Sequence, residues 1–367
     1  MVAIDRRALL AGAGAALVAS NARALAAAPD WPSISPAEAG FVPDFAARLD
    51  QFLRTAEAGN IHGVVIVRRG RLVLERYYRG VDQVQAAELS HDLRSVTKSV
   101  IGLLYGIALG EGKAPALDAA LLAQFPQYTD LADMAQRRRW TIRHAITMTL
   151  GLDWDEVELP YGDPRNGHTA MEAAPDLYRY VLEQPIAAVA GERWTYCSGA
   201  SALLGKILEN ATKQSLHDYA RAVLFDPLGI GPTEWLLGFG GGERDFAGGL
   251  RMRPRDIARI GQMLLDGGKA GERQVVPAAW LANSFKPAAT VNDRRQYGYH
   301  WFHGNLPYAG PDGQRVARWI AAAGYGGQRL VVFPELELVA VITAANYNMH
   351  TRASEDLIRE IVLPSLQ

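Results

Sequence analysis

Cysteine is almost missing from this chain: Cys197 is the single thiol in 367 residues. A disulfide within the chain is therefore excluded, and so is structural zinc built on cysteines. An excess of charge of either sign is missing too. Lysine and arginine together number 38 against 39 aspartates and glutamates, a net charge of -1. That balance carries no electrostatic signature of nucleic acid or of an anionic membrane as partner. Beyond the N-terminus no apolar run is long enough to span a bilayer. The glycine-rich stretch at 238–242 lacks the Lys-Ser/Thr of a phosphate loop. There is no internal repeat and no low-complexity tract. With 49% apolar residues, what remains is an ordinary globular composition, in a chain long enough for two domains or one large one.

The N-terminus stands apart. Asp5-Arg6-Arg7 precedes the mild apolar run from Ala8 to Ala19, and small residues including Ala24-Leu25-Ala26 follow. A charged start, a short apolar core and an Ala-x-Ala-like site form an export signal, and the paired arginines give it a twin-arginine character. Residues 1–26 are expected to be removed, leaving a periplasmic or secreted protein without stable membrane insertion.

Pattern along the mature chain predicts an antiparallel sheet made from both chain ends, flanked by helices, with a mostly helical region inserted between (an α/β, or α+β, class). An amphipathic helix is expected over 43–58. A hairpin follows over 63–78, turning at Arg69-Gly70. Helices are expected over 142–148, 175–181, 198–211, 216–224, 254–267 and 277–284. Strands return at 297–302, 315–321, 329–333 and 336–344, and a last helix runs over 352–366. The α/β part is assigned to 27–113 and 291–367, the helical part to 114–290. The polar, aromatic loop 151–169 is expected to wall a pocket.

Chemistry enters at Ser95-Val96-Thr97-Lys98, which heads an apolar helical run. Positions i and i+3 share a helix face, so hydroxyl and amine can meet. A serine is a weak nucleophile until a neighbour accepts its proton, and the free N–H groups of a helix start suit a developing oxyanion. The competing reading is an N-capping serine with a surface lysine. Two further elements follow: Trp194-Thr195-Tyr196-Cys197-Ser198-Gly199, opening a helix, and Ala322-Ala323-Gly324-Tyr325-Gly326-Gly327-Gln328, leading into a strand. Glycines there permit close backbone approach to a ligand.

In this order the three elements resemble the serine β-lactamase and penicillin-binding protein superfamily, and within it the class C-like branch that holds esterases and 6-aminohexanoate-dimer hydrolase. Residues 143–152, 225–229 and 248–251 add to the resemblance. It implies that Ser95 is the acylated nucleophile, that Lys98 and Tyr196 handle its proton, and that the backbone N–H groups of Ser95 and Tyr325 form the oxyanion hole. A deprotonated Tyr196 beside a cation is physically reasonable, since an adjacent positive charge lowers a phenol's pKa, and the division of proton handling between Lys98 and Tyr196 stays open because coupled groups titrate as a pair. Ser198, Gly324, Gly326, Trp154 and His350 are the expected substrate-binding residues, with Ser198 bonding substrate or Lys98. No cofactor or metal is implied. Two departures matter. The lysine of the family's Lys-Thr-Gly motif is Ala322 here, and the usual Tyr-x-Asn is Tyr-x-Ser. The first points away from a dedicated β-lactamase or D-Ala-D-Ala carboxypeptidase and toward a small ester or linear amide as substrate. A β-lactamase or D-Ala-specific peptidase anchoring its substrate through an arginine is the alternative within enzymes, and a non-turnover penicillin-binding or sensor domain is the alternative outside them. Cys197 is read as a buried small hydrophobe. His300 and His303 have zinc-like spacing only on a helix, so on a strand they are read as packing residues.

Overall fold

The computed structural model describes residues 31–78, 87–238, 244–349 and 351–367. The export signal, His350 and residues 239–242 of the glycine-rich stretch lie outside the described residues.

The amphipathic segment after Pro43 forms a helix, Phe45–Phe52, that buries Phe45, Leu49 and Phe52 on one face. The hairpin follows as Ile61–Arg68 and Arg71–Tyr77, with Arg68 opposite Arg71. Arg69 (φ 50°) and Gly70 (φ 72°) supply the left-handed pair that matches the twist of a two-residue hairpin turn. Six more strands complete one antiparallel sheet. Its order is Arg71–Tyr77, Ile61–Arg68, Leu338–Ala344, Gln328–Phe333, Gly313–Gly324, Trp301–Gly310, Arg295–Gly298 and Ala289–Asn292. Both chain ends thus build the sheet, as the sequence pattern requires.

The central strands are buried on both faces, and side-chain alternation divides the core in two. Val65, Val67, Leu330, Val332, Val339 and Val341 join one cluster with the helix Val96–Gly110. Val64, Ile66, Val331, Phe333, Ala340 and Ile342 join the other with Phe45, Leu49 and the C-terminal segment. That segment is a continuous helical stretch through Ala353–Asp356, Leu357–Val362 and Leu363–Ser365. The helix Pro254–Leu265 lies against Leu338–Ala344, Ile61–Arg68 and Gln328–Phe333. The sequence pattern had grouped it with the inserted helical region, but its apolar stripe covers the sheet.

The helix Val96–Gly110 is buried at every position from Val96 to Ala108. An element apolar all round belongs in the interior. It packs against Gly313–Gly324 on one side and the helix Ser198–Thr212 on the other. It therefore joins the sheet to the helical region, with its first turn where the two meet.

The late strands differ from expectation at the 297–302 stretch and at the sheet edge. The stretch 297–302 is not one strand: Tyr299 (φ 36°) and His300 (φ 68°) form a tight bend between Arg295–Gly298 and Trp301–Gly310. Alternation of apolar residues across the bend imitates a single strand. The edge strand Ala289–Asn292 is half exposed and carries too little apolar pattern to be seen in sequence. Among the described residues, no helix is long and apolar enough to cross a membrane.

Candidate active site

Ser95 stands at the N-cap of Val96–Gly110, yet its hydroxyl caps no backbone N–H. Lys98 Nζ donates to Ser95 Oγ at 2.9 Å and to the carbonyl oxygen of Ala247 at 2.9 Å. Lys98 is only 2% exposed. An N-capping serine beside a surface lysine is thereby ruled out. The segment is held from both sides. Leu93 N–H donates to Leu250 O, Leu250 N–H donates to Thr97 Oγ1, and His91–Asp92 pairs with Leu250–Met252. Ala247 is placed by Asp245, whose carboxylate accepts the N–H groups of Ala247 and Gly248 at 2.9 and 2.8 Å.

Tyr196 comes from the turn before the helix Ser198–Thr212. Its phenol interacts with Ser95 and Lys98, and the Lys98 ammonium lies 5.2 Å from its ring centre. The ring is braced by Trp194 at 6.1 Å and Phe302 at 6.5 Å between centroids. Ser95, Lys98 and Tyr196 therefore converge although they come from segments a hundred residues apart.

Burial alone would discharge Lys98, but Tyr196, Glu156 and Asp245 outweigh it and leave the ammonium above the ordinary lysine range. Burial also pushes the Tyr196 phenol up. Lys98 opposes this and Glu156 reinforces it, so the net direction is upward. Both directions favour the protonated forms, so burial and Glu156 work against the tyrosinate that the lysine alone would favour. The lysine argument counts one neighbour and leaves out desolvation and a buried carboxylate.

That carboxylate, Glu156, is the main residue the sequence did not reveal. It is 2% exposed. Ser198 donates to it through both its backbone N–H (2.6 Å) and its hydroxyl (2.7 Å). Trp154 Nε1 donates at 2.7 Å and the Tyr161 hydroxyl at 3.4 Å. Ser198 lines the cavity, but its hydroxyl is turned to Glu156 rather than to Lys98. Trp154 is buried behind the loop and is not among the cavity-lining residues, so its expected contact with substrate is corrected.

Gly324 ends the strand Gly313–Gly324. A Cβ there would fall 2.3 Å from the Leu93 carbonyl oxygen. The absent side chain lets the strand end close onto the segment that carries Ser95, which brings the Tyr325 backbone to the site. Gly326 (φ 84°) turns the chain where a Cβ would meet the Tyr347 ring at 2.5 Å. The Tyr325 hydroxyl donates to Asn348 Oδ1 at 2.6 Å and accepts the Asn348 N–H at 2.9 Å.

These residues open on a cavity of about 620 Å³ lined by Ser95, Lys98, Tyr161, Asp245, Tyr325 and Tyr347 among others. Such a volume suits a small molecule. Arg94 (φ 49°), next to Ser95, also lines it and lies 5.2 Å from the Tyr347 ring centre. Ala322, at the position of the family's lysine, is buried and offers no cation. Cys197 is buried with its thiol pushed up by desolvation, which suits a packing role. His300 is held by Ser201 Oγ at 3.1 Å and the Tyr297 hydroxyl at 3.3 Å. Among the described residues no group of His, Cys, Asp and Glu is placed to hold a metal.

An antiparallel sheet flanked by helices, with a lysine-bonded serine at the head of the buried helix, defines a β-lactamase-fold hydrolase. The chain belongs to the beta-lactamase family, whose model matches residues 49–362. It is 26% identical over 329 residues to a 6-aminohexanoate-dimer hydrolase of Paenarthrobacter ureafaciens, covering 82% of this chain and 74% of that protein. Among solved structures it is similar to a putative 6-aminohexanoate-dimer hydrolase from Bacillus anthracis, with TM-score 0.69, 16% identity and coverage of 90% and 86% of the two chains. It is also similar to EstCE1, a hydrolase with promiscuous acyltransferase activity, with TM-score 0.66, 19% identity and coverage of 87% and 98%.

Proposed function

We propose that this protein is a serine hydrolase that cleaves a small ester or linear amide through an acyl-enzyme on Ser95. The observation that carries the reading is the 2.9 Å contact between Lys98 Nζ and Ser95 Oγ inside a cavity of small-molecule size. The relative named a 6-aminohexanoate-dimer hydrolase and the neighbour named a hydrolase with promiscuous acyltransferase activity support the same chemistry.

The Lys98–Tyr196 pair must first release one proton. Ser95 Oγ then attacks the substrate carbonyl and passes its own proton to the pair. The N–H groups of Ser95 and Tyr325 stabilise the oxyanion. Collapse expels the alcohol or amine, which takes a proton back through Tyr196. A water then attacks the acyl group by the same route in reverse, releasing the acid. Lys98 and Tyr196 act as one proton store, since groups this strongly coupled titrate together. With Ala322 in place of a lysine, a β-lactam carboxylate lacks its usual anchor, which favours ester or linear amide. The leader at 1–26 supports export to the periplasm or beyond, and cell fractionation of the full-length protein tests it.

The deciding experiment pairs a p-nitrophenyl ester assay with mass spectrometry of the trapped protein. Sustained product release with a transient adduct on Ser95 is expected. One equivalent of product and a lasting adduct would make the protein a sensor. A panel of short-chain esters, nitrocefin, D-amino-acid peptides and ω-amino-acid oligomers then sets the substrate class.

A further inference from the structure

Glu156 does not itself line the cavity, yet it bonds Ser198 and Tyr161, which do. Every partner of its carboxylate is a donor: the Trp154 indole and the Ser198 backbone on Oε2, the Ser198 and Tyr161 hydroxyls on Oε1. An acceptor-only pattern is that of an ionised carboxylate. The Ser198 N–H belongs to the first turn of Ser198–Thr212, where unpaired backbone donors favour an anion. Burying such a charge is costly unless hydrogen bonds and an opposite charge compensate it. The compensating cation is Lys98, on whose ammonium Glu156 acts electrostatically.

We propose that Glu156 is a positioning residue: its carboxylate bolts the 151–169 loop to the turn bearing Tyr196 and supplies the fixed negative charge against which the Lys98–Tyr196 pair holds its protons. The Tyr-x-Ser variant fits this arrangement, because Ser198 offers two donors to one carboxylate. The loop end is fixed independently. Asp155 accepts the N–H groups of Val157 and Glu158, and the Gly167 N–H donates to Asp155 O. The tyrosine turn and the pocket wall are thus held to one reference point.

The other charged and titratable groups around the pair are Asp245 from the 244–249 turn, and Tyr297 and His300 at the strand bend. On the loop side are Tyr161 and the His168–Glu172 pair, whose side chains lie 3.5 Å apart. Cys197 adjoins Tyr196. Asp245 is a further carboxylate acting on Lys98, and it serves as the comparison. Its side chain orders Ala247 and Gly248, whereas Glu156 acts on lysine and phenol together.

The test rests on the proposed function, and wild-type ester turnover with an adduct on Ser95 checks that reading separately. Glu156→Gln removes the charge but keeps the shape. Its oxygen can accept from Trp154 and Ser198 N–H, and its amide can donate to the two hydroxyls, which reverse. The pH profile of kcat/KM for a neutral ester is measured for wild type, Glu156→Gln and Ser198→Ala. With a fixed negative charge gone the pair gives up its proton more readily, so the acid limb of Glu156→Gln is expected to move about one unit to lower pH. Ser198→Ala keeps the charge, so its limb should stay in place while kcat falls. An unmoved limb in Glu156→Gln, an equal shift in both variants, or failure of the glutamine variant to fold would overturn the assignment.

Discussion

Lys98 Nζ lies 2.9 Å from Ser95 Oγ, one helical turn away, and the same nitrogen is pinned at 2.9 Å by the carbonyl of Ala247. Helix geometry brings the amine to the hydroxyl, and a distant loop fixes where it points. Under the proposed mechanism, once the pair has released a proton an amine held this way is already placed to accept the serine's.

Ser95→Ala and Lys98→Ala should each lower kcat/KM by about 10⁴–10⁶-fold, and the double variant should be no worse than either, since members of one catalytic unit act non-additively. Circular dichroism should show an unchanged fold for Ser95→Ala. Near-full ester turnover by Lys98→Ala would end the proton-transfer assignment.

Tyr196→Phe keeps the ring against Trp194 and Phe302 and removes the hydroxyl that meets Ser95 and Lys98. A loss of about 10²–10⁴ in acylation rate is expected, with little change in Tm. Single-turnover kinetics with a chromogenic ester measures it.

Gly324→Ala forces a methyl toward the Leu93 carbonyl, 2.3 Å away in the present backbone. The strand end must retreat from Ser95, at a cost of about 1–3 kcal/mol in stability. If the Tyr325 N–H serves the oxyanion, kcat should fall well beyond what that loss explains. Parallel measurement of kcat and Tm separates the two, and unchanged kcat would remove Tyr325 from the hole.

His300 sits beside Lys98 with its pKa pushed down to about 3, by burial first and by the Lys98 charge second. The unfolded chain protonates it near the ordinary value of about 6.5. Above that value the imidazole is neutral in both states and stability is full. As pH falls toward 3 the unfolded state binds the extra proton and stability drains away, by about 2 kcal/mol at pH 5. Urea midpoints between pH 8 and 4 should show this slope, and His300→Asn should flatten it.

The candidate site segments were legible because each is a short local pattern: a Ser-x-x-Lys on a helix, a Tyr before a helix start, a glycine-rich entry to a strand. Trp154 and Ser198 were legible as residues of the site region but not in their roles. Both turn to Glu156, which carries no motif and lies 42 residues before Ser198 in sequence. The bend at Tyr299-His300 was hidden for a related reason, since apolar alternation runs through it unbroken.

Sequence alone determined the sheet built from both chain ends, the buried helix behind Ser95 and the pairing of its hydroxyl with an amine, because periodicity and i, i+3 spacing are local consequences of backbone geometry. Tertiary structure decided the desolvation and charge around Lys98 and Tyr196, the placing of Ala247 149 residues from the lysine it holds, and the closure of Gly324 onto Leu93. Those depend on desolvation and on contacts between distant segments, which exist only once the chain has folded.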